Sequence, residues 1–178
     1  MDEPDPRVIE RARSGDEVAF AQLVRAYQAP VWRFVRHLLA DAALAEDVTQ
    51  ETFVRVHRHL ARFRRDARFS TWVFAIARNA ALDAARSRAR RERLHDAAGA
   101  AGATPSPEGG HELAAALAAL PADLREALLV VEVLGLRYDE AGPVLGVPAG
   151  TVKSRVHRAR AHLAAWLAAD DGEAAGGV

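Results

Sequence analysis

Apolar positions along this chain return every three or four residues, the period of a helix lying against a core. Between residues 42 and 62, Leu44, Ala45, Val48, Thr49, Thr52, Phe53, Val56 and Leu60 fall on one arc of a helical wheel, and polar side chains fill the other. Between 71 and 91 the stripe is Trp72, Val73, Ile76, Ala77 and Ala80, with Ser70 placed to cap the helix that carries it. The same spacing predicts helices over 6–14, 16–28 and 30–40, with Pro30 in a first turn separating the last two. A second set is predicted over 112–120, 122–134, 138–145 and 148–169. The fold class expected is all-α, with two small helical domains, because a stretch without any period separates the two sets.

That stretch, residues 97–110, combines glycine, proline and small side chains and reads as a flexible linker. Fourteen such residues span roughly 20 Å root-mean-square and at most about 50 Å drawn out, so two domains can grip separated points on one partner. The division expected is a first domain over 1–93, a linker over 94–111, a second domain over 112–169 and a disordered tail over 170–178.

Composition supports the class. Alanine and arginine dominate and only 6% of residues are aromatic, which favours helix and leaves little material for strands. Cysteine is absent, so disulfides, thiolate zinc sites and a thiol redox switch are excluded. The start, Met1-Asp2-Glu3-Pro4-Asp5-Pro6, is acidic with no apolar run behind a basic end, and the longest apolar stretch, 113–120, is far too short to span a bilayer. A soluble cytoplasmic protein with no membrane insertion is expected.

The formal charge is zero, but its placement is uneven. Residues 1–50 hold six arginines and nine acids, whereas residues 51–93 hold twelve arginines against four acids. One basic block in a neutral chain points to a polyanion partner, or else to an arginine-rich solvated surface.

Three surfaces carry candidate chemistry. On the polar arc of 42–62, Glu46, Asp47, Gln50, Glu51, Arg55 and Arg58 surround a lone Val54. This is either a docking face or a solvated face with one stray valine. Acid–base or metal chemistry by its carboxylates is set aside, since no second helix offers matching ligands.

Next, Arg62, Arg64, Arg65 and Arg68 lie between Phe63 and Phe69, with Arg78 and Asn79 on the helix that follows. Cations with flat rings suit unpaired nucleic acid. The alternative is that Phe63, Phe69 and Trp72 are core and the arginines alone carry function.

Third, 138–163 has helix-turn-helix spacing, with Gly146 at a left-handed C′ position and Pro148 opening the longer helix. Val152, Val156, Ala159, Leu163 and Trp166 should be buried there. The opposite side shows Lys153, Ser154, His157 and Arg158, flanked by Thr151, Arg155 and Arg160. A recognition helix in a major groove has this layout, as does a surface helix with i,i+4 charges. No Gly-rich phosphate loop, Gly-x-Ser-x-Gly elbow or His-Glu-x-x-His spacing occurs, so no catalytic residue, metal or cofactor is expected.

Together these stretches resemble the extracytoplasmic-function group of bacterial sigma factors over about 16–166. The resemblance rests on Glu46-Asp47-Val48-Thr49-Gln50-Glu51-Thr52-Phe53, on Phe69-Ser70-Thr71-Trp72 with Ile76-Ala77-Arg78-Asn79-Ala80-Ala81-Leu82-Asp83, on Leu120-Pro121 and Gly135-Leu136, and on Gly150-Thr151-Val152-Lys153-Ser154-Arg155-Val156-His157-Arg158-Ala159-Arg160. It implies that the face of Asp47, Gln50, Glu51 and Val54 docks on core RNA polymerase. It also implies that 62–69 captures a flipped minus-ten base of melted promoter DNA, and that Lys153, Ser154, His157 and Arg158 read the minus-thirty-five duplex. By the same analogy the linker threads the polymerase, and an anti-sigma factor holds the protein inactive. A helix-turn-helix repressor or activator acting alone is the competing reading.

One departure from the family pattern is Tyr138-Asp139-Glu140-Ala141-Gly142-Pro143-Val144-Leu145, preceded by Arg137 where a small hydroxyl cap is usual. An interior proline costs about 3 kcal/mol and a glycine up to about 1. A kinked or shortened helix is expected.

Overall fold

In a computed structural model of the chain, residues 3–64, 66–96 and 111–175 are described. Arg65, the linker expected at 97–110 and the last three residues lie outside them. The chain divides into two compact units, Met1–Pro105 and Ser106–Val178. Among the described residues both are helical and neither contains a strand.

The first unit comprises α1 (Pro6–Arg13), α2 (Glu17–Leu39), α3 (Ala42–His59), a 3-10 turn at Leu60–Arg62, and α4 (Phe69–Asp96). Three of the helices begin on aspartates: Asp5 accepts from the Arg7 N–H at 2.8 Å, Asp16 from Ala19 at 3.0 Å and Asp41 from Leu44 at 3.0 Å. Helix α3 packs against both α2 and α4, and α1 against α2.

The break expected at Pro30 does not occur, since α2 runs through it. Leu23, Tyr27, Val31, Phe34 and Val35 form one buried stripe across the proline. Burying each stabilises by about 1.5–3 kcal/mol, which together outweighs the roughly 3 kcal/mol cost of an interior proline.

Burial on α3 follows the wheel. Ala45, Val48, Thr49, Thr52 and Val56 are buried, and the two threonines return their hydroxyls to the Ala45 and Val48 carbonyls at 2.7 Å. On α4 the core stripe includes Phe74, which the wheel omitted, whereas Trp72 and Ile76 are only half-buried. The rings pack edge to face, Tyr27 on Phe69 at 5.4 Å and Phe34 on Phe74 at 5.7 Å between centroids. Two arginines tie the layers together. Arg55 pairs with Glu51 at 2.8 Å and with Asp83 at 2.9 Å, and Arg88 with Asp41 at 2.5 Å and with Glu92 at 2.7 Å.

The second unit comprises α5 (His111–Ala119), α6 (Ala122–Leu128), a π turn at Leu129–Val133, α7 (Tyr138–Leu145) and α8 (Ala149–Ala175). Helix α8 packs against α6, α7 and α5. The single helix expected over 122–134 thus widens at Leu129, where the Leu134 N–H reaches the Leu129 carbonyl at 3.2 Å. Helix α8 continues six residues past its expected end, through part of the segment assigned to a disordered tail. Alanine, aspartate and glutamate continue the helix there, and one glycine, Gly172, costs only about 1 kcal/mol.

Helix α7 keeps its full expected span despite Gly142 and Pro143. Pro143 lies on the exposed side, where water can take the Asp139 carbonyl that it leaves without a donor. Gly142 is buried and has a positive role. A Cβ there would come within 2.9 Å of the Val147 carbonyl oxygen, so only glycine lets α7 approach the turn this closely. Arg137 offers no acceptor, but its own N–H donates to the Glu140 carboxylate at 2.9 Å, one half of a capping box. Gly146 closes the helix with φ of 69°, as the turn spacing predicts.

Candidate functional site

The polar arc of α3 is where the sequence places it. Glu46, Asp47 and Gln50 are exposed, and Val54 is 42% exposed, an apolar side chain facing outward. Glu51 differs. It is half-buried and held by Arg55, which also holds Asp83 of α4. The Glu51 hydrogen bond raises the Arg55 pKa, with Asp83 second, so Glu51 supports the helix pair as much as it lines a surface.

What the sequence did not reveal is that this face is one wall of a groove. The other wall is α2. Two adjoining hollows of about 470 and 430 Å³ share Gln28, Thr49 and Gln50. Arg25, Ala29, Trp32 and Glu46 line the first; Phe20, Val24, Phe53, Val54, His57 and Arg58 line the second. Phe20 stacks edge-on against His57 at 4.9 Å, closing one end. The missed signal was the i,i+4 series Phe20, Val24, Gln28 beside the buried stripe of α2, which was present in the helix expected over 16–28. An apolar floor with a mixed-charge rim suits a protein partner that presents a complementary helix.

The basic segment after the 3-10 turn is only partly as expected. Arg62, Arg64 and Arg68 are exposed, with Asp66 3.4 Å from Arg64, while Arg65 lies outside the described residues. Phe63 and Phe69 are corrections: they are 4% and 2% exposed. Phe63 packs on Phe69 at 5.5 Å and on Trp72 at 5.0 Å, and Phe69 on Tyr27. Their rings are occupied by the core, so they anchor the ends of the segment, and its outward chemistry is cationic. On α4, Asn79 is exposed and Arg78 half-buried.

Helix α4 begins at Phe69, so Ser70, expected as its cap, lies inside it. The cap comes from the far end of the unit. The Glu3 carboxylate accepts from the Phe69 N–H at 2.8 Å and the Ser70 N–H at 3.1 Å, accepts from the Ser70 hydroxyl, and lies 3.4 Å from Arg68 Nε.

In the second unit Val152, Val156 and Ala159 of α8 are buried, with Leu163 and Trp166 half-buried beyond them. Lys153, Ser154, His157 and Arg158 form an exposed stripe on the opposite side, with Thr151 half-buried at its edge. The flanking arginines, expected to reach phosphates, are engaged within the unit, Arg155 half-buried and Arg160 exposed. Arg155 pairs with Asp123 of α6 at 3.2 Å, and Arg160 with Glu132 of the π turn. That hydrogen bond raises the Arg160 pKa. Among the described residues no cluster of His, Asp and Glu could hold a metal, and no helix is long and apolar enough to cross a membrane.

Comparison with known proteins matches a family region to each unit. Residues 23–91 match the family described as Sigma-70 region 2, and residues 110–163 match Sigma-70, region 4. The ECF RNA polymerase sigma factor SigC of Mycobacterium tuberculosis is 39% identical over 174 residues, covering 90% of this chain and 89% of that one. The RNA polymerase sigma-H factor of Pseudomonas aeruginosa is 36% identical over 177 residues, covering 89% and 91%. Among solved structures, CnrH in complex with the cytosolic domain of CnrY aligns with a TM-score of 0.74 at 31% identity, over 92% of this chain and 96% of that one. The sigma factor RpoE in complex with the anti-sigma factor NepR from Bartonella quintana aligns with a TM-score of 0.69 at 28% identity, over 85% and 98%.

Proposed function

The chain belongs to the sigma-70 family, within its ECF branch of RNA polymerase sigma factors, and from that membership we propose how its two units direct promoter-specific initiation of transcription. The α2–α3 groove, with Glu46, Asp47, Gln50 and Val54 on its α3 wall and rim, docks on core RNA polymerase. Arg62, Arg64, Arg65 and Arg68, with Arg78 and Asn79 behind them, hold the melted minus-ten strand. Lys153, Ser154, His157 and Arg158, bordered by Thr151, read the minus-thirty-five duplex. Arg155 and Arg160 pair within the unit, with Asp123 and Glu132. The chain contributes no catalytic residue or cofactor of its own, and binding energy drives strand opening in the cytoplasm. A separate anti-sigma factor controls it, as the NepR-bound relative suggests.

The observation that carries this reading is the presence of both family regions, in order, on one chain. A helix-turn-helix regulator acting alone would leave residues 23–91 without a role. Run-off transcription with core polymerase tests it: a promoter-dependent product is expected on a cognate template. Tight operator binding without polymerase, and no product with it, would overturn the assignment.

A further inference from the structure

The amino-terminal arm grips the basic segment at both of its ends. At the far end, the first N–H groups of α4 have no acceptor within the helix. Arg68, in the position of a cap, has no acceptor either. Glu3, 66 residues away in sequence, takes the Phe69 and Ser70 N–H groups and the Ser70 hydroxyl, and its negative charge lies at the positive end of the helix dipole. The same carboxylate is 3.4 Å from Arg68 Nε, with the two side chains 29% and 44% exposed. At the near end, Arg13 of α1 donates through Nη2 to the Ala61 carbonyl at 3.3 Å.

Residues 62–64 and 66–68 therefore lie between two points held by α1 and its leading arm. We propose that Glu3 is a positioning residue for minus-ten capture: it fixes the register of the loop on α4 and orients Arg68 toward the strand, with Arg13 as its counterpart at Ala61. This rests on the assignment of that loop to the melted strand. A strand-capturing loop loses affinity when it must be ordered at the moment of binding, and an arm that orders it beforehand removes that cost.

The test uses full-length protein with core polymerase. In Glu3→Ala, amide hydrogen exchange at Phe69 and Ser70 is expected to lose its protection. Open-complex formation on duplex promoter should fall about 3- to 30-fold, the range of a lost helix cap. Affinity for core polymerase should stay unchanged, and because the α2–α3 groove lies in the same unit, that measurement separates a mis-set loop from a misfolded unit. Glu3→Gln, which keeps an acceptor oxygen without the charge, should recover part of the loss. Wild-type exchange or wild-type opening in Glu3→Ala would overturn the proposal, as would equal loss of core binding. A wild-type protein that opens no promoter would instead overturn the functional assignment, and the role of Glu3 with it, while the exchange data would still report the cap.

Discussion

The two units present the surfaces proposed to meet nucleic acid in opposite ways. In the first, cations stand on an irregular segment between buried aromatics, and a distant carboxylate and a distant arginine hold its ends. In the second, polar side chains stand on a regular helix whose inner face is core, and whose flanking arginines pair within the unit. An unpaired strand has no fixed shape to match, so its receptor must supply order from the protein side; a duplex groove has a fixed shape, so a straight helix suffices. The first unit also carries the groove, so on the proposed function it would hold a protein and a strand together.

The largest effect is expected where the units differ most. Val54→Asp places a charge in the proposed docking groove and should weaken core binding on the order of 100-fold. Circular dichroism should be unchanged, because the side chain is outward-facing. Retained core affinity would remove the groove from the account and leave the units alike in depending on nucleic acid alone.

Lys153→Ala or Arg158→Ala should cost about 1–3 kcal/mol at particular upstream base pairs, measured by competition with single-base promoter variants. A uniform loss across all variants, with a flatter salt dependence, would make α8 a phosphate binder like the loop. Arg155→Ala sharpens the contrast from within the same helix. It should leave base preference and salt slope intact and lower the melting temperature of the second unit by at most ~8 °C, the scale of one partly exposed ion pair.

The smallest effect is a pH dependence confined to the first unit. The Leu44 N–H first, and then Arg88, hold the Asp41 carboxyl below its ordinary range. A depressed acid stabilises the fold above its unfolded pKa, and this contribution fades as pH falls through the folded value. Asp41→Asn should therefore be less stable than wild type at neutral pH, and the gap should close below about pH 4 in thermal melts. A gap independent of pH would show that the Asp41 charge contributes nothing.

How much was legible in the sequence follows from the range of each interaction. Val54, Gln50, Lys153 and His157 stand outward as expected because a helix fixes the direction of each side chain from its neighbours alone. Phe63 and Phe69 were open to two readings because outside a helix the period gives no direction, and only the packing of Tyr27 and Trp72 settles it. Arg155 and Arg160 looked outward on a wheel, which cannot show that Asp123 and Glu132 arrive from other elements. Pro30 misled because its fit to a first helical turn was read without the buried stripe that runs across it, and Gly142 looked like a weakness until the turn beside it was visible. Glu3 was invisible for the simplest reason, since no local pattern links it to Phe69.

Gly142 also separates two kinds of evolutionary freedom. The bearing of α8 is set where backbone meets backbone, with room for a hydrogen atom and nothing larger. The exposed side chains of Lys153, Ser154, His157 and Arg158 take no part in that contact. On the proposed function, promoter preference could thus be rewritten at these four positions while the mount that aims them stays as it is.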